Sequence, residues 1–108
     1  MADSKIINEF GIRQDTLDLI TGSFRLFPEI RKAAIFGSRV KNNFRSGSDI
    51  DIALTGDKIN FDTIIRLSGI LNEELPVPHH IDLVDFSHLK QESLKEHIIR
   101  VGKVIYEV

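Results

Sequence analysis

The chain has 108 residues, 42% of them hydrophobic and 28% charged, with a formal net charge of −2. That length fits one compact domain that buries roughly two-thirds of its unfolded surface. The charge balance excludes the basic surface that unspecific nucleic-acid binding needs, and the absence of cysteine removes disulfides and thiolate zinc sites. No apolar run approaches the length of a membrane span, and Lys5-Ile6-Ile7 is too short for a signal peptide. The expectation is a soluble cytoplasmic protein with no membrane partner and no direct nucleic-acid binding.

Residues 1–11 carry few structural cues and are expected to lie loosely on the surface. From about Ile12 to Phe27, Leu17, Ile20, Phe24 and Phe27 recur at spacings of three and four, which predicts an amphipathic helix ended by Pro28. Lys32 to Phe36 reads as a short apolar strand running into Gly37-Ser38. The polar, basic stretch Arg39 to Ser48 predicts one helical turn and then an irregular loop. Alternation from Asp49 to Leu54 predicts a second strand, followed by a turn at Gly56-Asp57. Asn60 is the expected N-cap of a helix over about Phe61 to Leu75, with Phe61, Ile64, Ile65, Ser68, Leu71 and Leu75 inward and Pro76 and Pro78 ending it. Ile81 to Phe86 predicts a third strand. Ser87 is the expected cap of a last helix through about Val101, with Leu94, Ile98 and Val101 inward and Gly102 as its C′ residue. Val104 to Tyr106 predicts a terminal strand. Strands interleaved with helices indicate an α/β (α+β) domain.

The acids of the second strand carry the chemistry. Residues two apart on a strand share a face, so Asp49 and Asp51 point the same way, about 7 Å apart at Cα. Two like charges on one side of a strand resist joint ionisation, and a divalent cation removes that conflict. Mg²⁺ prefers a few carboxylates together with substrate phosphates. Strand parity also governs the next acids: Asp82 and Asp85 are three apart and face opposite ways. Asp82 is the expected third carboxylate, and Asp85 a solvated or capping acid.

Phe36-Gly37-Ser38-Arg39, ten residues between Ser38 and Asp49, Gly47-Ser48-Asp49-Ile50-Asp51 and the later strand aspartate resemble the minimal nucleotidyltransferase (MNT) family of the DNA polymerase β-like superfamily. The likeness extends through Ile81-Asp82-Leu83 and the closing Gly102-Lys103-Val104-Ile105-Tyr106, so residues 1–108 read as a single minimal nucleotidyltransferase domain. One departure is Asn42-Asn43, where relatives often carry a second glycine; asparagine tolerates positive φ better than most residues.

The resemblance implies a small mixed sheet of three to four strands flanked by helices, and a Mg²⁺-dependent transferase moving AMP from ATP, or the nucleotide of another triphosphate, to a hydroxyl. Asp49, Asp51 and Asp82 would hold one or two Mg²⁺, with Asp82 completing the site or acting as base. Gly37 would let backbone approach the phosphates, Ser38 would donate to them, and Arg39 and Ser48 would join the nucleotide site. A helical HEPN-type partner is implied, in many pairs a toxic RNase silenced by adenylylation of a tyrosine. The alternative is a catalytically idle module that inhibits or regulates its helical partner by contact; a nucleotide sensor is a third reading.

For Arg39, Lys41 and Arg45, phosphate contact and a merely soluble loop weigh about equally, and Arg39 could also be a structural partner. His79 and His80 are adjacent and point apart as strand neighbours, so a turn histidine pair outweighs a metal site.

Overall fold

A computed structural model of the chain describes residues 8–41 and 48–108. Expectations placed on residues 1–7 and 42–47, among them the irregular loop, Asn42-Asn43 and Arg45, lie outside the described residues, as does the side chain of Lys41.

The elements in chain order are α1 (Gln14–Phe24), β1 (Lys32–Phe36), α2 (Ser38–Lys41), β2 (Ile50–Thr55), α3 (Phe61–Gly69), a π-helical turn (Ile70–Glu74), β3 (Ile81–Asp85), a 3₁₀ turn (Phe86–His88), α4 (Glu92–Val101) and β4 (Lys103–Glu107). The four strands form one mixed sheet in the order β3-β2-β1-β4. β1 runs antiparallel to both β2 and β4, whereas β2 and β3 are parallel. A parallel pair needs a crossover, and α3 with its π-helical extension provides it. The expected mixed sheet flanked by helices is the observed architecture.

Alternation along the strands divides the core in two. Ala33, Ile35, Ile50, Ile52 and Leu54 pack on one face with Ile20 and Phe24 of α1 and Leu67 and Leu71 of the crossover. On the other face Phe36 and Ala53 meet Ile98 of α4, flanked by Val84, Leu94 and Val101. Asp51 and Asp82 share the parity of Ala53 and Val84, so both acids project on the α4 side of the sheet. Tyr106 packs edge-on against Phe24, with ring centroids 5.3 Å apart.

Several expectations are corrected. The segment before α1 is not loose where it is described: Phe10 and Ile12 are buried in the main core. The Asn8 side chain holds that turn by accepting from the amides of Phe10 and Ile12. α1 stops at Phe24, and i→i+3 bonds from Arg25, Leu26 and Phe27 tighten the chain before Pro28, which disfavours helical backbone at Phe27. Asn60 does cap α3, in a reciprocal box with Thr63. Of the expected inward residues, Leu71 is buried and Ile64 and Leu75 pack against the core, but Phe61 and Ile65 are exposed, and Thr63 and Leu67 are buried in their place.

Ser87 does not cap α4; its hydroxyl accepts from the Gly56 amide, and α4 begins at Glu92. Gly102 ends α4 at an ordinary φ of −61°. What demands glycine there is space, because a Cβ would lie 2.6 Å from the Ile98 carbonyl oxygen.

Candidate active site

The site grows from the end of β1 and the start of β2 and β3. Phe36 pairs with Asp51, so the chain leaves β1 next to the acid-bearing start of β2. Gly37 turns there with φ +81°, a conformation that L side chains rarely adopt. It is also crowded: a Cβ on Gly37 would run into the carboxylate of Asp51. The glycine therefore supplies both the turn and the room for the acid. Ser38 opens the short α2 directly after it.

On the other side of β2, Ile50 pairs with Ile81 and Asp51 with Asp82, in parallel register. The expected third carboxylate stands beside the second, while Asp85, three residues on, takes the opposite face and pairs with His88 at 2.8 Å. Asp51 is half-buried and its pKa is raised above the ordinary carboxylate value of 3.8, first by burial, then by the charge of Asp82, then by that of Asp49. Asp49 and Asp82 are exposed. The three acids converge, as strand spacing and parity predict.

A fourth group joins them. The imidazole Nε2 of His80 lies 3.1 Å from Asp82 Oδ1. One ligand atom from each of Asp49, His80 and Asp82 falls within 4.8 Å of the others. Two carboxylates and an imidazole at such spacing, with a half-buried Asp51 alongside whose ionisation is opposed by burial and by the neighbouring acids, fit a divalent cation. The expectation that His79 and His80 point apart is met, but the turn-pair reading missed where His80 points. Its signal was parity: a residue two before Asp82 shares its face.

His79 turns the other way, to Arg39. Arg39 is 1% exposed. Its Nη1 donates to the carbonyls of Phe10 and Gly11, and its Nη2 to the Ser48 carbonyl at 2.7 Å, with His79 Nδ1 at 3.1 Å. Burial and the neighbouring guanidinium both lower the pKa of His79. The guanidinium expected to meet phosphate thus lies inside the protein. It ties the segment before α1, the residue before Asp49 and the approach to β3 into one frame.

A mixed sheet with a glycine–serine turn facing paired strand aspartates is the arrangement of a nucleotidyltransferase domain. Residues 19–108 match the family described as Polymerase beta, Nucleotidyltransferase. The chain belongs to that family.

No curated protein matches the chain. Among solved structures, a toxin–antitoxin complex with AMP-PNP superposes with a TM-score of 0.72 at 22% identity, over 85% of this chain and 73% of that one. A complex of an MNT antitoxin with tri-AMPylated HEPN toxin from Shewanella oneidensis gives 0.67 at 22% identity, over 88% and 72%. At these identities the likeness is one of fold. Among the described residues no helix is long and apolar enough to cross a membrane.

Proposed function

We propose that the chain is a Mg²⁺-dependent nucleotidyltransferase that moves AMP from ATP to a hydroxyl on a helical, HEPN-type protein partner, in the manner of an antitoxin acting in the cytoplasm. The observation that carries this reading is the convergence of Asp49, Asp51 and Asp82 beside the Gly37 turn. Asp49, Asp51 and Asp82 would hold one or two Mg²⁺, with His80 at their margin. Bound there, a divalent cation neutralises triphosphate charge and polarises the reacting phosphorus centre.

The chain's own groups do the rest by position. Gly37 brings backbone close to the phosphates without a side chain in the way, and Ser38 and Ser48 offer polar atoms to them. Arg39 serves the site by holding its frame rather than by touching the nucleotide. Asp82 takes the proton as the acceptor oxygen attacks the α-phosphorus; the bond from that phosphorus to the β-bridging oxygen breaks, and pyrophosphate leaves. Such a transfer needs positioning and charge neutralisation more than covalent chemistry from the protein.

A macromolecular acceptor is supported by the openness of the site, since the side chains of His80 and Asp82 are 58% and 50% exposed. Something else must close over them. The similar structures named above include a HEPN toxin carrying AMP groups, which favours a protein hydroxyl as acceptor and ATP as donor.

Calorimetric titration with AMP-PNP tests the nucleotide half of the proposal. Saturable binding that requires Mg²⁺ or Mn²⁺ and disappears in Asp49→Asn is the expected result. Equal binding in EDTA, or by the variant, would contradict it.

A further inference from the structure

Among the described residues β3 is an edge strand, bonded on one side to β2 and on the other to no strand. In a parallel pair, one residue of a strand bonds to the residues flanking its partner, which leaves the partner's own amide and carbonyl pointing away. Ile50 donates its amide to the His80 carbonyl at 2.9 Å, so it is Ile81 whose polar groups face outward. Those groups are met by one side chain. Asn72 Oδ1 accepts from the Ile81 amide at 2.8 Å, and Asn72 Nδ2 donates to the Ile81 carbonyl at 3.0 Å.

An asparagine amide carries one acceptor and one donor head in a plane. It therefore substitutes for the missing neighbouring strand at this single residue. The same Nδ2 also donates to Ser68 Oγ at 3.2 Å, which orients the amide from within the helix below.

The backbone that presents Asn72 is itself unusual. α3 gives way at Ile70 to a π-helical turn, closed by an i→i+5 bond from the Leu75 amide to the Ile70 carbonyl at 2.9 Å. Such turns are rare and frequent at functional sites. Here the widened turn sets Asn72, its middle residue, against β3. Ile81, the first residue of β3, lies between His80, which precedes the strand, and Asp82, and both of these neighbours enter the candidate metal site. Held by Ile50 through His80 on one side and by Asn72 on the other, the peptides around Ile81 are fixed along both edges, which sets the backbone from which the Asp82 side chain projects.

We propose that Asn72 is a positioning residue for the transfer site, acting through Ile81 to set the Asp82 carboxylate. The proposal rests on the reading of Asp82 as a metal-site carboxylate. Partners in the shell outside metal ligands commonly govern affinity by about 10- to 100-fold.

The test is Mn²⁺ affinity of the full chain, followed by electron paramagnetic resonance, for wild type, Asn72→Ala, Asn72→Asp, Ser68→Ala and Asp82→Asn. Asn72→Asp keeps an acceptor for the Ile81 amide but sets a carboxylate against its carbonyl. Ile20→Val, in the core on α1, serves as a destabilised control. Expected are a loss of about tenfold or more in Asn72→Ala and Asn72→Asp, a smaller loss in Ser68→Ala, and wild-type affinity in Ile20→Val. Ser68→Ala carries the test if the Asn72 variants fail to fold. Wild-type affinity in the folded Asn72 and Ser68 variants, with binding lost in Asp82→Asn, would overturn the positioning role alone. Wild-type affinity in Asp82→Asn would overturn the metal-site reading and the proposal with it.

Discussion

Asp51→Asn should stabilise the metal-free protein while destroying its metal response. Asp51 is half-buried against Gly37, and its carboxylate pKa is raised by burial and by the charges of Asp82 and Asp49. Asn keeps the shape that the Gly37 turn accommodates and removes the charge. Adjacent strands lie about 4.8 Å apart, so repulsion from Asp82 alone ranges from about 0.9 kcal/mol at the dielectric of water to about 3.5 kcal/mol at an effective value of 20. Asp82 is half exposed, which favours the lower end, about 1 kcal/mol.

For a domain of this size that raises Tm by roughly 5 °C in chelator. The sign with pH follows from the raised pKa. A carboxylate whose folded pKa lies above its unfolded value contributes its stability in full below that unfolded value, here near 3.8, and loses it as pH rises through the folded value. The advantage of the variant should therefore appear on going from acid to neutral pH and vanish below the ordinary carboxylate range. Mg²⁺ or Mn²⁺ should raise the wild-type Tm and leave the variant's nearly unchanged. Scanning calorimetry in EDTA and in Mn²⁺, from pH 3.5 to 7.5, reads all three effects. A variant that melts earlier than wild type in EDTA at neutral pH would refute the reasoning.

Gly37→Ala forces a side chain into a left-handed turn and against the Asp51 carboxylate; it should cost about 1–2 kcal/mol in urea denaturation and lower transfer by about 100-fold or more. Arg39→Met strips donors from the carbonyls of Phe10, Gly11 and Ser48; the Phe10 bond is buried and the other two are part-buried, so the loss should be about 1–3 kcal/mol by urea melt, carried mainly by Phe10. Arg39→Lys should recover only part of that loss, because an ammonium lacks the planar fork. His80→Gln removes the imidazole beside Asp82 and should weaken Co²⁺ binding, read from its visible absorbance, more than Mg²⁺ binding, because imidazole suits the softer ion.

The legible parts of the fold were those written in local pattern. Two-residue alternation set β2 and the parity of its acids, and the same rule separated Asp82 from Asp85. What was not legible came from tertiary contact. Phe61 and Ile65 fit an amphipathic stripe, yet Thr63 and Leu67 are buried, and Thr63 donates its hydroxyl to Glu29, a partner that only the folded chain brings near. Arg39 looked like a phosphate ligand from its place after Ser38; only the folded chain brings Phe10, Ser48 and His79 around its guanidinium. Asn72 carried no signal at all, since its partner, the open edge at Ile81, exists only once β3 has paired with β2.

The measurement that bears most directly on nucleotidyl transfer is the intact mass of the proposed helical partner, purified in complex with the chain, before and after incubation with ATP and Mg²⁺. The expected result is a gain of one or more AMP units, absent in EDTA and absent with Asp49→Asn. An unchanged partner mass, in a complex that forms and is still neutralised by Asp49→Asn, would contradict the transfer and leave contact as the means of control.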